Sequence, residues 1–287
     1  MGRKLIIVSG PTAVGKTAWS IGLANKYDSP IISCDSRQIY KEMTIGTAVP
    51  SKEELSAVRH YFIQDHSIHQ PYTAGDYEAE ALALIESLFA DGHETLVASG
   101  GSGFFIEALC NGLPDLPKTD SQLREDLDRR IREEGLESLR MDLRRLDPQA
   151  YGSIDLSNPQ RVLRAVEVCL LSGRTFSSFR GGPTERNFQI EKICLVRDRE
   201  EMALRISKRV DAMLAEGLVD EVRSLLPYRN LPALRTVGYS EIFDYLDGLC
   251  SLEQAAEKIK TNTRRYAKKQ LTWWRRDPSV TFHSLSF

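Results

Sequence analysis

A glycine-rich stretch near the amino terminus constrains the fold more than any other feature of this chain. Gly10, Pro11, Thr12, Ala13, Val14, Gly15, Lys16 and Thr17 follow the spacing G-x-x-x-x-G-K-[ST], between the β-branched apolar run Lys4–Ser9 and a helical pattern over Lys16–Tyr27. A strand, a tight turn and a helix N-terminus in that order point backbone N–H groups inward around a polyphosphate. Lys16 then supplies a fixed cation, and the Thr17 hydroxyl can ligate the accompanying Mg2+. Short apolar runs at 30–34 and 95–98 alternate with an amphipathic helical pattern at 78–90, carried by Leu82, Ile85 and Phe89. That alternation predicts a parallel sheet covered on both faces. Ligands of such sheets lie beyond the carboxyl ends of the strands, so residues 10–17, Asp35 and the 100–103 loop should converge.

Beyond 113–117 the character changes. Ser121–Glu134 and Leu136–Leu146 read as highly charged helices, the first with a Leu123, Leu127, Ile131 stripe. Asn158-Pro159 is a helix start, Asn as N-cap and Pro at the first helical position, and that helix stops at Gly173. Residues 174–183 form a Ser/Gly-rich loop, and 190–196 reads as a strand returning to the sheet. The remainder reads as helical: 199–226, interrupted at Gly217, and a helix opened by a Ser251-x-x-Gln254 capping box and continuing to about Trp274. The expected fold class is α/β, a P-loop NTPase-like parallel sheet core with an α-helical insertion domain. Its expected segments are 1–117 for the first part of the core, 118–189 for the insertion, and 190–287 for completion of the core with basic C-terminal helices.

Composition excludes several classes. No apolar run approaches the roughly 20 residues of a membrane span, and the apolar stretch at the start is too short for a secretory signal. A soluble, cytoplasmic chain is expected. Its five cysteines are widely spread without a CxxC pair, which gives neither a disulfide framework nor a zinc site. His60, His66 and His69 lie close together in sequence but complete no metal set. The net charge of −2 argues against nucleic acid only until its distribution is considered. Residues 258–276 hold eight cations and no acid, interleaved with Tyr266, Trp273 and Trp274. Such a segment is either a phosphate-binding and stacking surface or a solvated cationic face over packed aromatics.

The strand ending Val97-Ala98-Ser99-Gly100 offers no acid of the kind that P-loop motors and switches place there. The carboxylate at a strand end is instead Asp35, in Ser33-Cys34-Asp35-Ser36-Arg37-Gln38. Asp35 could hold magnesium, act as general base toward a substrate amine or hydroxyl, or cap the following turn.

Several motifs occur in order: residues 10–17, Asp35-Ser36-x-Gln38-Ile39-Tyr40, Ile45-Gly46-Thr47-Ala48 and Gly100-Gly101-Ser102-Gly103-Phe104. They are followed by Asp147-Pro148, Asn158-Pro159-Gln160-Arg161, Gly217-Leu218-x-x-Glu221-Val222-Arg223, Val237-Gly238-Tyr239 and Lys269-Gln270-x-Thr272-Trp273. Together they resemble the bacterial tRNA dimethylallyltransferase family over nearly the whole chain. The resemblance implies transfer of a dimethylallyl group from its diphosphate to N6 of adenosine 37 in tRNA, by a monomer with Mg2+ and without a membrane. Asp35 would be the base, and Lys16, Thr17-bound Mg2+ and Arg223 would take up charge on the leaving diphosphate. The adenine must leave its stack to reach such a site. The tRNA contacts implied are Asp35, Ser36, Arg37, Gln38, Ser102 and Arg124; Pro159, Gln160, Arg161, Val162, Leu163 and Arg164; and Lys268, Lys269, Gln270 and Trp273. Ser102 stands where the family often has Thr, Phe105 where Tyr is usual, and Lys269 where Arg is frequent. The rivals are a P-loop small-molecule kinase, an adenylate (AMP/ATP) isopentenyltransferase, and a non-catalytic RNA-binding module. The first two leave 258–276 unexplained; the third leaves the P-loop and Asp35 unexplained.

Overall fold

The computed structural model describes residues 2–179, 182 and 184–285. In chain order its elements are β1 (Lys4–Ser9), α1 (Lys16–Tyr27), β2 (Ile31–Ser33), α2 (Lys52–Ala57), β3 (His60–Tyr61), α3 (Ala74–Ala90), β4 (Thr95–Ser99) and α4 (Gly103–Asn111). Then follow α5 (Ser121–Glu134), α6 (Leu136–Leu146), α7 (Pro148–Tyr151) and α8 (Pro159–Ser172). The chain continues through β5 (Gln189–Val196), α9 (Arg199–Ala215), α10 (Leu218–Ser224), α11 (Tyr239–Leu246), α12 (Leu252–Trp274) and β6 (Val280–Ser284). Two compact units result: Met1–Asn111 with Glu185–Phe287, and Gly112–Thr184. These boundaries fall a few residues before the expected 117/118 and 189/190. Among the described residues no helix is long and apolar enough to cross a membrane.

The first unit is built on a six-stranded sheet of order β3-β2-β4-β1-β5-β6, parallel at every pairing. β1 is central and buries all but its first residue, as a strand covered on both faces must. Ile6, Val8, Val97 and Leu195 of the sheet pack with Ala24 of α1, Ile206 of α9 and Ala267 of α12. Val8 and Ser33 both pair with Ser99, so β1, β2 and β4 end level and release their following loops on one side. That common end is what gathers residues 10–17, Asp35 and the 100–103 loop.

Several elements depart from expectation. The region after α12 is not helical to its end: β6 adds a parallel edge strand beside β5, with Val280 its one buried residue. The 100–103 loop is followed at once by α4, which buries Phe105, Ile106, Ala108, Leu109 and Cys110. Of the loop expected at 174–183, Phe176–Phe179 forms a 3-10 turn, while Arg180, Gly181 and Pro183 lie outside the described residues.

The second unit packs α5, α6 and α8 around Leu127, Leu139, Leu143, Val162, Leu163 and Val166. α8 begins where the Asn158 side chain accepts from Arg161 N, with Pro159 in the first turn. Among the described residues this unit buries two carboxylates: Asp147, which caps α7, and Glu167, which is fully buried. Glu167 Oε2 accepts from Arg164 Nη1 at 2.7 Å and Arg124 Nη1 at 3.3 Å. Glu167→Leu is expected to cost about 3 kcal/mol in urea unfolding, because both guanidiniums lose their counter-charge. That figure is at the low end for a broken buried pair, since the arginines keep part of their surface in water. A loss below about 1 kcal/mol would show that Glu167 does not organise this unit.

Candidate active site

The P-loop takes its shape from backbone that L side chains rarely adopt. Gly10, Ala13 and Gly15 all have positive φ, at 144°, 66° and 108°. A Cβ on Gly10 would meet Leu195 O at 2.7 Å, so the turn needs glycine there both for conformation and for close approach to β5. Lys16 Nζ donates to Gly10 O at 3.1 Å and Pro11 O at 3.0 Å. Burial pulls its ammonium down to about 8; Asp35 acts in the opposite direction and Arg209 reinforces the fall. Lys16 therefore titrates from cation to neutral amine as the pH rises through about 8. Measured against Lys16→Gln, which shares the ligand's own titration, the advantage of the wild type in binding inorganic diphosphate is expected to be largest below that pH and to be lost above it. Calorimetric titration between pH 6.5 and 9.5 checks this: a flat profile of that advantage, or a wild-type fall that persists unchanged in Lys16→Gln, would refute it.

The loop is braced from outside by Arg197, between β5 and α9, and by α9 and α12. Arg205 Nε donates to Ala13 O at 2.7 Å and Arg197 Nε to Val14 O at 2.8 Å, while Arg209 Nη1 donates to Thr12 Oγ1 at 3.1 Å. Gln270 accepts from Thr12 N at 2.9 Å and donates through Nε2 to Gly101 O at 2.8 Å. Its amide thus clamps the P-loop to the 100–103 loop, a use different from the expected tRNA contact. A cavity of about 360 Å3 opens in front, lined by the P-loop residues Thr12, Ala13, Gly15, Lys16 and Thr17, by Asp35 and by Arg205, Lys208 and Arg209. The three α9 cations were missed in the sequence, although Arg205 and Arg209 stand four apart and so share one helix face. Arg223 requires correction. It lies on α10, more than half exposed and paired with Asp220, and it does not line this cavity.

Asp35 follows β2. Its Oδ1 accepts from Arg37 N at 2.9 Å and Gln38 N at 3.4 Å, so it does cap the turn, and the residue also lines the cavity. The turn is fixed from behind: Ser102 Oγ accepts from Ser36 N at 2.8 Å and donates to Ser36 Oγ at 3.0 Å. A Cβ on Gly100 would fall 2.3 Å from the Cys34 carbonyl, and only glycine allows the two loops to lie back to back. Phe105, where the resembled family carries Tyr, stacks on Tyr77, whose hydroxyl donates to Ser33 O. Gln38 Nε2 donates to Thr47 O and Ala48 O. The 44–48 loop is also held by Glu221, which accepts from the N–H groups of Thr44, Ile45 and Gly46 and from Tyr239 Oη. Burial and the Glu221 carboxylate hold the Tyr239 phenol well above its ordinary range. The Gly46, Glu221 and Tyr239 motifs thus form one structural joint. A second cavity, of about 490 Å3, shares Thr12, Asp35, Thr47, Ala48, Arg209 and Tyr266 with the first, and adds Arg37 and the apolar Val210, Met213, Val237 and Ile259.

On α12, Trp274 is core at 3% exposure, whereas Tyr266 opens to both cavities. Trp273 lies against Gly103, where a Cβ would be 2.7 Å from its Nε1. Of the eight cations at 258–276, Lys258 pairs with Asp244 and Lys260 with Asp211 and Glu257. Arg264, Arg265, Lys268, Lys269, Arg275 and Arg276 are exposed, and among the described residues they form no ion pair.

In the second unit Pro159, Gln160 and Arg161 are exposed at the start of α8. Gln160 Oε1 accepts from Arg124 Nη2 at 2.7 Å. Val162 and Leu163 are fully buried, so their side chains are core and are withdrawn as RNA contacts. Arg164 is tied to Pro117 O, Thr119 Oγ1 and Glu167.

A family model described as IPP transferase matches residues 38–277. The tRNA dimethylallyltransferase 1 of Bacteroides thetaiotaomicron is 48% identical over 281 residues, covering 97% of this chain and 91% of that protein. The tRNA dimethylallyltransferase of Christiangramia forsetii is also 48% identical over 281 residues, covering 98% and 93%. Among solved structures, the full-length tRNA isopentenylpyrophosphate transferase of Bacillus halodurans is similar with a TM-score of 0.73 at 34% identity, covering 99% of this chain and 92% of that one.

Proposed function

The chain belongs to the IPP transferase family, and on that premise we propose that it moves the dimethylallyl group of dimethylallyl diphosphate onto N6 of adenosine 37 in tRNA, as a cytoplasmic monomer. The observation that carries this reading is the placing of Asp35. Its residue lines the cationic P-loop cavity and the adjoining cavity with apolar walls. A diphosphate fits the first, and the dimethylallyl tail fits against Val210, Met213 and Ile259 in the second. The acceptor amine then comes to the border between them, beside a carboxylate.

In the reaction the N6 lone pair forms a bond to the allylic carbon, and the carbon–oxygen bond to diphosphate breaks with its electron pair. Asp35 takes the amine proton as the nucleophile loses it. The P-loop N–H groups, Lys16 and Arg209, with Arg205 and Lys208 beside them, take up the charge that grows on the leaving oxygen. Thr17, in the first turn of α1 and on the cavity wall, would hold Mg2+ through its hydroxyl. Magnesium takes hard oxygen ligands, one or two from protein and the rest from phosphate and water, and this donor set fits that habit. When bound, the ion neutralises part of the diphosphate charge.

The cations of α12 that form no ion pair among the described residues suit phosphate contacts with an anticodon stem-loop. Reversing Lys268 and Lys269 to Glu together is expected to weaken tRNA binding at least tenfold at low salt and to flatten its salt dependence; unchanged affinity would remove α12 from the interface. The function itself is tested with labelled dimethylallyl diphosphate and unmodified tRNA. Label in tRNA is expected. Label only in free AMP, or ATP consumption without transfer, would favour an adenylate prenyltransferase or a kinase instead.

A further inference from the structure

A third cavity, of about 540 Å3, lies away from the P-loop between α4 and the end of α12. Its walls include Phe104, Glu107, Asn111, Lys192, Trp273 and Asp277. Phe104 stands 57% exposed in the first turn of α4, two residues beyond Ser102, which holds the Asp35 turn. Trp273 lies over Gly103 beside it. A large ring left in water next to an indole is an unsatisfied apolar surface, and the flat partner that suits it is another ring. Polar groups stand across the cavity. Asn111 Nδ2 donates to Glu107 Oε1 at 2.7 Å, leaving the Asn111 carbonyl oxygen and Glu107 Oε2 able to accept from the edge of a base. Lys192 is fixed to Asp277 at 2.7 Å. On the same end of α12 are Lys268, Lys269, Arg275 and Arg276, exposed and in no ion pair among the described residues.

We infer that this cavity receives a second unstacked base of the anticodon loop, one flanking the acceptor adenosine, stacked on Phe104 and Trp273. The inference rests on the proposed tRNA activity and adds a recognition site to it. Phosphates on either side of the base meet the α12 cations, so one aromatic step is combined with backbone neutralisation, as in recognition of single-stranded loops. Phe104 is thereby a specificity residue: it touches the substrate away from the reacting atoms, and its contribution should fall on KM for RNA.

The test compares wild type and Phe104→Ala on an anticodon stem-loop, and on stem-loops with a single abasic position on either side of the acceptor. Phe104→Ala is expected to raise KM for the stem-loop about tenfold, within the range for one stacked base, with kcat and KM for dimethylallyl diphosphate unchanged. Phe104→Tyr should restore KM. One abasic position should cost the wild type a similar factor and cost Phe104→Ala nothing more. Transfer by the wild type with an unchanged KM in Phe104→Ala, or losses that multiply at every abasic position, would overturn the second-base site alone. No transfer to tRNA by the wild type would overturn the function and this site with it.

Discussion

Asp35→Asn is expected to lower kcat for prenyl transfer by about 10^2 to 10^4-fold, the usual contribution of a positioned general base, while tRNA affinity changes less than twofold. Asparagine is the informative replacement. Asp35 caps its own turn through Oδ1, toward Arg37 N and Gln38 N, and an asparagine oxygen can keep both bonds. The variant therefore removes charge and basicity while the turn persists. Asp35→Ala removes the cap as well and should add a loss of stability. A second readout comes from Lys16, whose ammonium Asp35 helps to hold up at about 8. Without that carboxylate the lysine titrates at lower pH, so the pH at which its contribution to diphosphate affinity is lost should move down. Single-turnover rates on a stem-loop, with a diphosphate titration across pH, give both results. If Asp35→Asn reacts at the wild-type rate while Asp35→Ala merely melts earlier, the carboxylate is only a turn cap.

What the sequence made legible follows from which signals are local. Residues 10–17 were readable because the motif encodes its own geometry, glycines at strained positions and a lysine at a helix start. The caps at Ser251 and Asn158 were readable for the same reason: a side chain bonds a backbone group three residues on. β6 was not, because an edge strand with one buried residue carries neither alternation nor an apolar run. α4 escaped because its almost continuous apolar stretch, buried on several sides, has no polar stripe to reveal a period. In the site, motif membership proved coarser than geometry. In 159–164 the motif groups Arg161 with Val162 and Leu163, yet helical spacing sends the first to solvent and the other two to the core. Gln270 lies in a basic segment, but its amide is consumed by Thr12 and Gly101, a contact between residues 258 positions apart that no local pattern encodes. The same limit hid the α9 cations: their spacing was visible, but not the loop they face.

That last difference sets up the other large expected effect. Arg209→Gln should reduce kcat/KM for dimethylallyl diphosphate by about 10^2 to 10^3-fold, the scale for losing one oriented donor at a site of developing negative charge. Arg223→Gln should stay within about twofold of wild type. Arg209 donates to Thr12 Oγ1 and lines both cavities, so its loss removes a cation from the leaving group and a brace from the P-loop together. Arg209→Lys separates these roles. It restores a charge without the planar fork, and so should recover part of the rate if charge is the larger share. Arg223 sits in a solvent-exposed pair with Asp220 on its own helix, where screening leaves little energy to lose. The two variants, compared by steady-state kinetics and thermal melts, place the diphosphate cation on α9 or on α10. Equal large losses in both would mean that α10 turns toward the cavity when substrate enters. A loss in Arg223→Gln alone would return the role to that helix and leave Arg209 as a strut of the P-loop.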